Sequence, residues 1–437
     1  MDNSSLFLYN PWWSNPDSIT GDRNVKEALS RKPSKTYIFE DKNLLIIGPR
    51  QVGKTTFLKL VILDLIKSRK VDPKQIFYFS CDSMLRNTRI SELVSQFRNL
   101  PFVRKDARIY VFLDEISFLD SWNSEVKSLI DAGLFDDNRI YLTGSSSVSL
   151  KRETFPGRNI EIRKFLPLTF REYCRLFAQE ELRSIIESIP HESGEILSNT
   201  RELSPYLLEF NALFDNYLQS GGFLASSYRY MNHEDLIPVY DLYWSVLLGD
   251  LARERRSPDT GKAVVQGVIK NYGSLYGYSS IAKEMDISSH VTVKEYLELF
   301  DELFLTFSVY QFDYPRTKVL FSHQRKTYFI DPFMFHTFMY KLYNLSINSE
   351  KYPALLEGAI GSNLKRSDEN LLLLKEKREV DFYLPSKEMG IEVKASSADT
   401  RDFNSSSVKK RFILSRDTFK LDGPVKIIPS SIFLLMT

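Results

Sequence analysis

With 437 residues, the chain is too long for one ordinary hydrophobic core, and we expect two or three domains. Hydrophobic residues make up 43% and charged residues 26% of the sequence, proportions that exclude a fibrous or intrinsically disordered protein. The formal net charge of only +2 excludes a uniformly basic nucleic-acid coat protein and restricts any nucleic-acid contact to a local patch.

The cysteines and the apolar runs bear on the compartment. Cys81 and Cys174 are the only cysteines, too few for a disulfide framework or a cysteine-based zinc site. Apolar runs such as LLIIG and YVFL are much too short to span a bilayer, so we expect no membrane partner. Because no signal peptide is recognisable, the expected location is the cytoplasm.

The first half of the chain predicts an arm and a large sheet. Residues 1–42 are interpreted as an N-terminal arm and lead-in, with Trp12 and Trp13 expected to be exposed. Apolar runs then alternate with amphipathic helical stretches, which predicts a parallel sheet with helices on both faces, spanning residues 43–175. Its strands are NLLIIG, QIFYFS, IYVFLD and IYLTGS, and a helical linker region, residues 176–260, follows.

The second half predicts two smaller units. Residues 261–350 contain two helices separated by the turn DISS, followed by the strands TFSVYQFDYPR and KTYFIDPF. This order is typical of a winged helix-turn-helix. Residues 351–437 begin with the helix ALLEGAIGSNLKRS and continue through short apolar strands, which indicates a small α/β domain.

The stretch GPRQVGKTT predicts a phosphate-binding loop, because it matches G-x-x-x-x-G-K-[ST] directly between an apolar strand and a helix. Backbone N–H groups of such a loop cradle the phosphates of ATP at the positive end of the helix. Lys54 is expected to reach the β- and γ-phosphates, and the Thr55 hydroxyl to bind Mg²⁺. The predicted nucleotide-binding residues of the loop are Gly48, Pro49, Arg50, Gln51, Val52, Gly53, Lys54, Thr55 and Thr56.

The stretch IYVFLDEIS supplies the acidic half of the same site. It places Asp114 at the tip of a buried strand, where it would hold Mg²⁺ through water, and Glu115 beside it as general base. The strand QIFYFS lies between the two motifs and predicts an extra strand that separates them. The strand IYLTGSSS ends in hydroxyls, and either Ser145 or Thr143 is expected to sense the γ-phosphate.

These motifs resemble the prokaryotic, especially archaeal, AAA+-related ATPases that join an N-terminal P-loop domain to a C-terminal domain of uncharacterised function. The resemblance extends over nearly the whole chain through NPWW (10–13), GRNIEIRKFLPLTFREY (157–173), YLQSGGFL (217–224) and YFIDP (328–332). It implies Mg²⁺-dependent ATP hydrolysis and a homo-oligomer such as a hexameric ring. In such a ring, an arginine from a neighbouring copy would complete each ATP site. Arg158 is our first candidate for this role and Arg152 the second; the alternative is that Arg158 is an ordinary surface or salt-bridging arginine.

The stretch EVDFYLPSKEMGIEVKAS predicts two strands joined by a short turn. Period two puts Glu392 and Lys394 on one face, and Asp381 can lie opposite them on the neighbouring strand. This set resembles the PD-(D/E)xK nucleases, in which two carboxylates bind Mg²⁺ and the lysine activates water; Glu357 on the preceding helix would add an acid. The sequence departs from that pattern at Val380, which stands in place of proline. The alternative is ordinary alternation on a half-exposed hairpin.

The winged helix gives a second route to DNA. Its second helix is acidic and unsuited to phosphate contact, with Glu295, Glu298, Asp301 and Glu302 against Lys294. The wing is more basic and could grip a DNA backbone through Arg316, Lys318, Arg325 and Lys326.

We therefore predict an α/β protein with an N-terminal P-loop parallel sheet, a helical and winged-helix region, and a small PD-(D/E)xK-like domain. The predicted function is Mg²⁺-dependent ATP hydrolysis coupled to DNA binding or processing, with DNA endonuclease activity left open. The alternative is an ATP-dependent switch that binds protein partners, in which the nuclease-like fold is an inactive scaffold.

Overall fold

The computed structural model describes residues 3–83, 88–145, 155–189, 196–346, 350–375, 379–403, 405 and 407–437. The chain divides into two units, Met1–Leu166 (unit 1) and Pro167–Thr437 (unit 2). Within the described residues, no helix combines the length and the apolar character needed to cross a membrane.

Unit 1 is built on a parallel sheet of five strands, β1 (Leu44–Ile47), β2 (Ile76–Ser80), β3 (Tyr110–Asp114), β4 (Arg139–Gly144) and β5 (Glu161–Lys164). Its helices are α1 (Asn3–Tyr9), α2 (Arg23–Ser30), α3 (Lys54–Lys67), α4 (Ile90–Arg98) and α5 (Trp122–Asp131). The strands β1 and β3 are buried along their whole length, as expected for apolar runs in a parallel sheet.

The strand order of this sheet is β2-β3-β4-β1-β5, and every neighbouring pair is parallel. A strand therefore does separate the phosphate-loop strand β1 from the acidic strand β3, but that strand is β4. The segment QIFYFS forms β2 at the edge, so our assignment of the separating strand was wrong. Position along the chain does not fix position in a parallel sheet, because each crossover can carry the chain past several neighbours.

The expected exposure of the tryptophan pair is also wrong. Trp12 is 1% and Trp13 is 5% exposed. Both indole N–H groups donate to the carbonyl oxygen of Ile76, at 3.1 and 2.8 Å. Asn10 adds hydrogen bonds to the backbone of Tyr78. The N-terminal arm therefore covers the free edge of β2 and satisfies backbone groups that an edge strand would leave unpaired.

Unit 2 begins with a series of helices: α6 (Phe170–Phe177), α7 (Glu180–Ser188), α8 (Ile196–Leu203), α9 (Leu207–Ser220), α10 (Leu224–Met231), α11 (Ile237–Arg253) and α12 (Pro258–Lys270). Next come α13 (Tyr278–Glu284), α14 (His290–Glu302) and the hairpin of β6 (Thr306–Asp313) and β7 (Lys318–Phe329). The remaining elements are α15 (Pro332–Tyr343), α16 (Tyr352–Ser367), β8 (Leu372–Lys375), β9 (Glu379–Leu384), β10 (Met389–Val393), β11 (Lys410–Ser415), β12 (Val425–Pro429) and α17 (Ser430–Leu434).

The strands of unit 2 form one mixed sheet in the order β12-β11-β10-β9-β8-β6-β7. The hairpin β6–β7 is antiparallel, β6 runs parallel to β8, and β8, β9 and β10 are antiparallel neighbours. The hairpin that the sequence suggested as the wing of a separate domain is therefore the edge of the same sheet that carries the predicted nuclease-like strands.

Three segments of the family resemblance meet inside unit 2. The backbone N–H of Gly222 donates to Asp331 Oδ2 at 2.7 Å, and Leu168 N–H donates to the Gly222 carbonyl at 2.8 Å. Gly221 has a left-handed φ of 64°, and a Cβ there would lie 1.9 Å from Asp331 Oδ1. A Cβ on Gly222 would lie 2.1 Å from the Leu168 carbonyl oxygen. Glycine is required at both positions because backbone and carboxylate approach so closely.

Candidate functional site

The phosphate-binding loop turns sharply between β1 and α3. Gly53 has a φ of 99°, a conformation that glycine adopts without strain. A Cβ on Gly48 would lie 1.9 Å from the carbonyl oxygen of Phe165, so glycine is needed here for space. No side chain caps the N-terminus of α3, which begins at Lys54. The first turn of this helix therefore presents backbone N–H groups suited to an anion.

Lys54 is buried and folds back on the loop. Its Nζ donates to the carbonyl oxygens of Gly48 and Pro49, each at 2.9 Å. Oε1 of Glu115 lies 3.8 Å from Nζ. Lys54 thus contacts two neutral acceptors next to the place where the loop motif puts phosphate oxygens.

Asp114 lies at the end of β3 and is 2% exposed. Its carboxylate accepts hydrogen bonds from the hydroxyls of Thr55 at 2.6 Å, of Tyr78 at 3.0 Å and of Thr143. Burial raises the pKa of Asp114 above its ordinary value, and these hydroxyls offset part of that shift. Thr55 and Asp114 are therefore in direct contact. Tyr78 was missed by sequence reasoning, since its role depends on β2 lying beside β3.

Glu115 follows directly in an unusual backbone conformation, with a φ of 53°. Non-glycine residues rarely adopt this region, and such strain concentrates at functional sites. Its backbone N–H donates to Thr143 Oγ1 at 2.9 Å, which fixes the turn. Within the described chain, its buried Oε2 accepts no hydrogen bond. A buried acceptor left open costs about 1–3 kcal/mol, a cost expected where the group serves a ligand or a water.

The other predicted residues of this site lie at its periphery. Ser145 is buried just after β4, and Val52 is buried in the loop. The Arg50 guanidinium lies 5.4 Å from the centre of the Phe118 ring. Arg158 makes two hydrogen bonds to Asp131, each of 2.8 Å. Arg152 lies outside the described residues.

The three predicted residues of the C-terminal hairpin, Asp381, Glu392 and Lys394, do come together. Asp381 Oδ2 accepts the backbone N–H of Val393 at 2.9 Å, which ties β9 to β10 beside Glu392. Lys394 Nζ donates to Glu392 Oε1 at 2.8 Å. Asp381 is 8% and Glu392 is 9% exposed, so the alternative of a half-exposed hairpin is wrong.

A β-bulge lies at Asp381. Between two pairing points, Leu372 with Tyr383 and Leu374 with Val380, the chain advances two residues on β8 but three on β9. Asp381 falls within this extra-residue stretch of β9. Bulges redirect a side chain relative to regular alternation, which explains why two-residue periodicity alone did not fix its contacts.

Sequence reasoning assigned Lys326 of β7 to the wing and missed its place beside these acids. Its side chain is 2% exposed, and its Nζ lies 2.7 Å from Glu357 Oε1, 2.9 Å from Asp381 Oδ1 and 2.5 Å from Glu379 Oε1. The Tyr328 hydroxyl also donates to Glu357. We call Lys326 with its three carboxylates the carboxylate cluster. The alternation of β7 puts Lys326 and Tyr328 on one face, a signal present in the sequence.

The prediction of a basic wing is wrong for two of its four cations. Lys326 is buried in the carboxylate cluster. Arg325 is 3% exposed and donates to the carbonyl oxygens of Phe321 and His323 at 3.0 Å. Only Arg316, which pairs with Asp313, and Lys318 are exposed. Alternation places Lys326 and Arg325 on opposite faces of β7. Lys326 lies in the carboxylate cluster, whereas Arg325 lies over the rings of Tyr278 and Tyr310.

Two acids, Glu357 of the carboxylate cluster and the neighbouring Glu392, hold their protons unusually tightly. Burial, and then the charge of Asp381, raise the pKa of Glu357 to about 8. The same two causes raise the pKa of Glu392 to about 7. Burial alone would lower the pKa of Lys326, but the charges of Asp381, Glu357 and Glu379 outweigh it and raise the value. Lys326 is therefore a fixed positive charge.

The predicted nuclease residues do not fit a divalent metal ion as they are arranged. The Lys326 ammonium lies between Glu357 and Asp381, within hydrogen-bond distance of both, where a shared metal ion would sit. Among the described residues, no group of three or more His, Cys, Asp and Glu side chains could hold a metal ion. The P-loop site differs, because Thr55 and Asp114 present hydroxyl and carboxylate oxygens of the kind Mg²⁺ prefers.

Comparison with known families agrees with the geometry of unit 1. Residues 40–174 match a family model described as an AAA domain. The N-terminal part of the chain therefore carries a P-loop domain of the AAA ATPase type. Residues 211–349 match a second model, described as a domain of unknown function (DUF8612). That match ends inside unit 2, before the predicted nuclease residues.

Similar chains occur in an archaeon. Uncharacterized protein MJ1637 of Methanocaldococcus jannaschii is 24% identical, over 94% of this chain and 88% of its own length. Uncharacterized protein MJ1544 of the same organism is 26% identical, over 82% of this chain and 76% of its own length. These relatives extend the similarity well beyond the AAA domain.

Two solved structures are also similar. The RuvB Holliday junction branch migration motor of Thermotoga maritima is 16% identical, with a TM-score of 0.28 over 61% of this chain and 81% of its own. The ORC1 protein of Aeropyrum pernix, solved in complex with DNA, is 13% identical, with a TM-score of 0.33 over 76% and 96% of the two chains. At these scores the likeness carries no argument about unit 2.

Proposed function

We propose that the chain hydrolyses ATP in a Mg²⁺-dependent reaction at the P-loop of unit 1. The observation that carries this proposal is Glu115, which turns its carboxylate toward Lys54 through a strained backbone and has one buried oxygen that accepts no hydrogen bond from the described residues. A general base must have an open oxygen to accept a proton from the attacking water. The match of residues 40–174 to an AAA domain supports the same reaction.

Each residue of the site has a distinct task in this proposal. The loop N–H groups bind the phosphates, and Lys54 exchanges its two carbonyl acceptors for phosphate oxygens. Thr55 and Asp114 would hold Mg²⁺, which when bound supplies charge neutralisation at the phosphates. Thr143 holds both acids in place by donating to Asp114 and accepting from Glu115 N–H. Glu115 orients the water and takes its proton.

Replacement of Glu115 by glutamine tests the proposal. The amide keeps the size of the side chain but cannot accept a proton, so ATP should still bind while phosphate release slows by about 10²–10⁴-fold. Glu92→Gln is the matched control, since Glu92 is an exposed acid of α4 in the same unit. Turnover at the parental rate in Glu115→Gln would remove Glu115 from the role of base.

Assembly is the second part of the proposal. The AAA domain suggests a homo-oligomer in which Arg158 of one copy reaches the nucleotide of the next. Arg158 lies on the surface, so its pair with Asp131 can be released at little cost. Turnover per chain should then rise with protein concentration, and sedimentation should show larger species in ATP than without nucleotide. Concentration-independent turnover by a monomer would contradict this.

For unit 2, the observations favour a switch whose nuclease-like site does not cut. Lys326 lies where a cleaving site would need a metal ion, so we do not propose cleavage. In this reading ATP hydrolysis changes the affinity of the chain for a protein partner. A cleavage panel with Mg²⁺ or Mn²⁺ on single-stranded, duplex and branched DNA tests it. Any cleavage lost in Asp381→Ala would overturn the non-cleaving assignment.

A separate observation favours DNA binding as a second candidate function of unit 2. A cavity of about 580 Å³ has an apolar floor and five cations around it, Lys387, Lys409, Lys410, Arg411 and Lys426. Lys409 pairs with Glu388, and Arg411 donates to the Val408 carbonyl. Lys410 and Lys426 are therefore the best candidates for phosphate contact.

Salt-dependent DNA binding separates the two candidates. If unit 2 binds DNA, each lost phosphate contact should reduce the slope of log affinity against log salt by about 0.7–0.9. The double variant Lys410→Ala/Lys426→Ala should then bind more weakly, while Lys270→Ala, a change at an exposed lysine of α12, should leave binding unchanged. Absence of DNA binding at low salt, with and without ATP, would leave the protein-binding switch.

A further inference from the structure

We propose that Lys326 is a built-in cation that takes the place of a divalent metal ion, so that the carboxylate cluster of unit 2 is a metal-independent site. This inference is independent of the proposed ATP hydrolysis, because it concerns only residues of unit 2.

The first argument is the match between donors and acceptors. A lysine ammonium has three N–H donors and no acceptor. Around Lys326 Nζ there are three carboxylate oxygens, from Glu357, Glu379 and Asp381, at 2.5–2.9 Å. The ammonium donates hydrogen bonds to Glu357 and Asp381 and forms an ion pair with Glu379. A metal ion at this point would have to displace a cation that all three acids contact.

The second argument is that the fold brings Lys326 to this position from a distant strand. In the sheet order, β7 and β9 are separated by β8 and β6. Three strand spacings of about 4.8 Å would put the backbones of β7 and β9 about 14 Å apart in a flat sheet, so the long Lys326 side chain has to make the contact. The contact joins strands that are not neighbours, and β9 carries a bulge in the stretch that contains Asp381. Such a contact is a specific feature of the fold rather than an incidental surface ion pair.

The third argument is burial. The Lys326 side chain is 2% exposed, and the Tyr328 hydroxyl closes the cluster by donating to Glu357. An ammonium that left the cluster would lose its partners without gaining water, and the carboxylates would become uncompensated buried charges. Lys326 is thus unable to swing aside for a metal ion in the way that an exposed lysine could.

A consequence follows for variants. Removal of the ammonium leaves Glu357, Glu379 and Asp381 around an empty space, and carboxylate oxygens are the ligands that Mg²⁺ and Mn²⁺ prefer. We infer that Lys326→Ala gains a divalent-cation site that the parent protein lacks. Asp381 would then contact the Lys326 ammonium in the parent protein and the divalent cation in the Lys326→Ala variant.

The experiment measures Mn²⁺ binding by electron paramagnetic resonance on the full-length protein without nucleotide, in an Asp114→Asn background that removes the metal-binding carboxylate of the ATP site. The expected result is no Asp381-dependent Mn²⁺ binding in that background, and about one Mn²⁺ per chain after Lys326→Ala is added. Asp381→Asn added to Lys326→Ala should abolish the gain. Lys318→Ala, an exposed lysine of the same strand, is the control and should gain nothing.

Two outcomes would overturn the proposal: Mn²⁺ binding that needs Asp381 while Lys326 is present, or a folded Lys326→Ala protein that binds no Mn²⁺. If Lys326→Ala is unstable, its thermal midpoint in EDTA and in Mn²⁺ gives the same information, because a metal ion that fills the gap restores stability. Failure of Mn²⁺ to raise that midpoint would count against the proposal. ATP turnover in Lys326→Ala reports separately on the P-loop site, where unchanged turnover is expected.

Discussion

The two lysine-and-carboxylate sites of this chain contain the same residue types but differ in what satisfies the lysine. In unit 1, Lys54 donates to two backbone carbonyls and lies 3.8 Å from the Glu115 carboxylate. In unit 2, Lys326 donates to Glu357 and Asp381 and forms an ion pair with Glu379. Lys54 can exchange neutral acceptors for phosphate oxygens, whereas Lys326 would leave buried charges behind. Whether a buried lysine can bind a ligand therefore depends on its partners. Neutral carbonyls leave the site available, whereas carboxylates close it.

The largest effect is expected from removal of the closed lysine. Lys326→Ala should lower the free energy of unfolding by about 3–5 kcal/mol, because the buried carboxylates lose their compensating charge. Urea denaturation followed by fluorescence measures this change. Lys318→Ala should stay within about 0.5 kcal/mol of the parent protein. Equal changes in the free energy of unfolding for the two variants would contradict the comparison, since the charge of Lys326 would then not be needed to compensate the buried carboxylates.

The open lysine should show the opposite profile. Lys54→Ala loses a charge-assisted contact with phosphate, so ATP affinity should fall by about ten- to a hundredfold. The free energy of unfolding should change by only about 1 kcal/mol, since the lost partners are neutral carbonyls. Fluorescent-nucleotide titration and urea denaturation give the two numbers. A large loss of stability with unchanged ATP affinity would make Lys54 structural.

Titration of Glu357 in the carboxylate cluster and of the neighbouring Glu392 sharpens the comparison further. The folded-state pKa values of Glu357, about 8, and of Glu392, about 7, lie above the ordinary value of 4.5, so the folded protein binds more protons than the unfolded chain. The stability from these groups is complete below about pH 4.5 and is lost as pH rises to about 8. The slope for one such group is up to about 1.4 kcal/mol per pH unit. Glu357→Gln should flatten the decline, and an unchanged pH profile would contradict the assignment.

The smallest effect on stability is expected for the third cation, Arg158, whose partner Asp131 lies on the surface. Arg158→Ala should leave the unfolding midpoint unchanged, because solvent replaces an exposed ion pair. Turnover by the assembled protein should nevertheless fall if Arg158 reaches a neighbour's nucleotide. Mixing Arg158→Ala with Glu115→Gln chains tests this, since only a trans arginine allows the mixture to regain activity. No gain on mixing would exclude the trans role.

The sequence indicated which residues of the P-loop region lie together because its parts are local. The segment 48–56 carries its own turn and helix start, and Asp114 and Glu115 stand at the end of the apolar run that forms β3. In the C-terminal hairpin, Asp381, Glu392 and Lys394 are only a turn apart, so their proximity could also be expected. The short turn is enough to predict this proximity, although the bulge in β9 kept strand alternation from fixing the contacts of Asp381.

Three features could not be predicted because they depend on distant pairing. The burial of Trp12 and Trp13 needs the free edge of β2, and the strand between β1 and β3 is decided by crossovers. The capture of Lys326 needs β6 to lie parallel to β8, although about sixty residues separate the two strands along the chain. Alternation along β7 divides Arg325 from Lys326 but does not indicate which face meets carboxylates.

The parallel pairing of β6 with β8 decides how the C-terminal half can be divided. A fragment of residues 351–437 would leave β8 as a bare edge and would separate the acids from their ammonium. A fragment ending at residue 350 would leave the other side of β6 open. Open edges recruit further chains, so both pieces should aggregate when expressed alone. Recombination or proteolysis between the two fragments would disrupt one sheet rather than release a folded domain. The two halves must therefore be kept together in one chain.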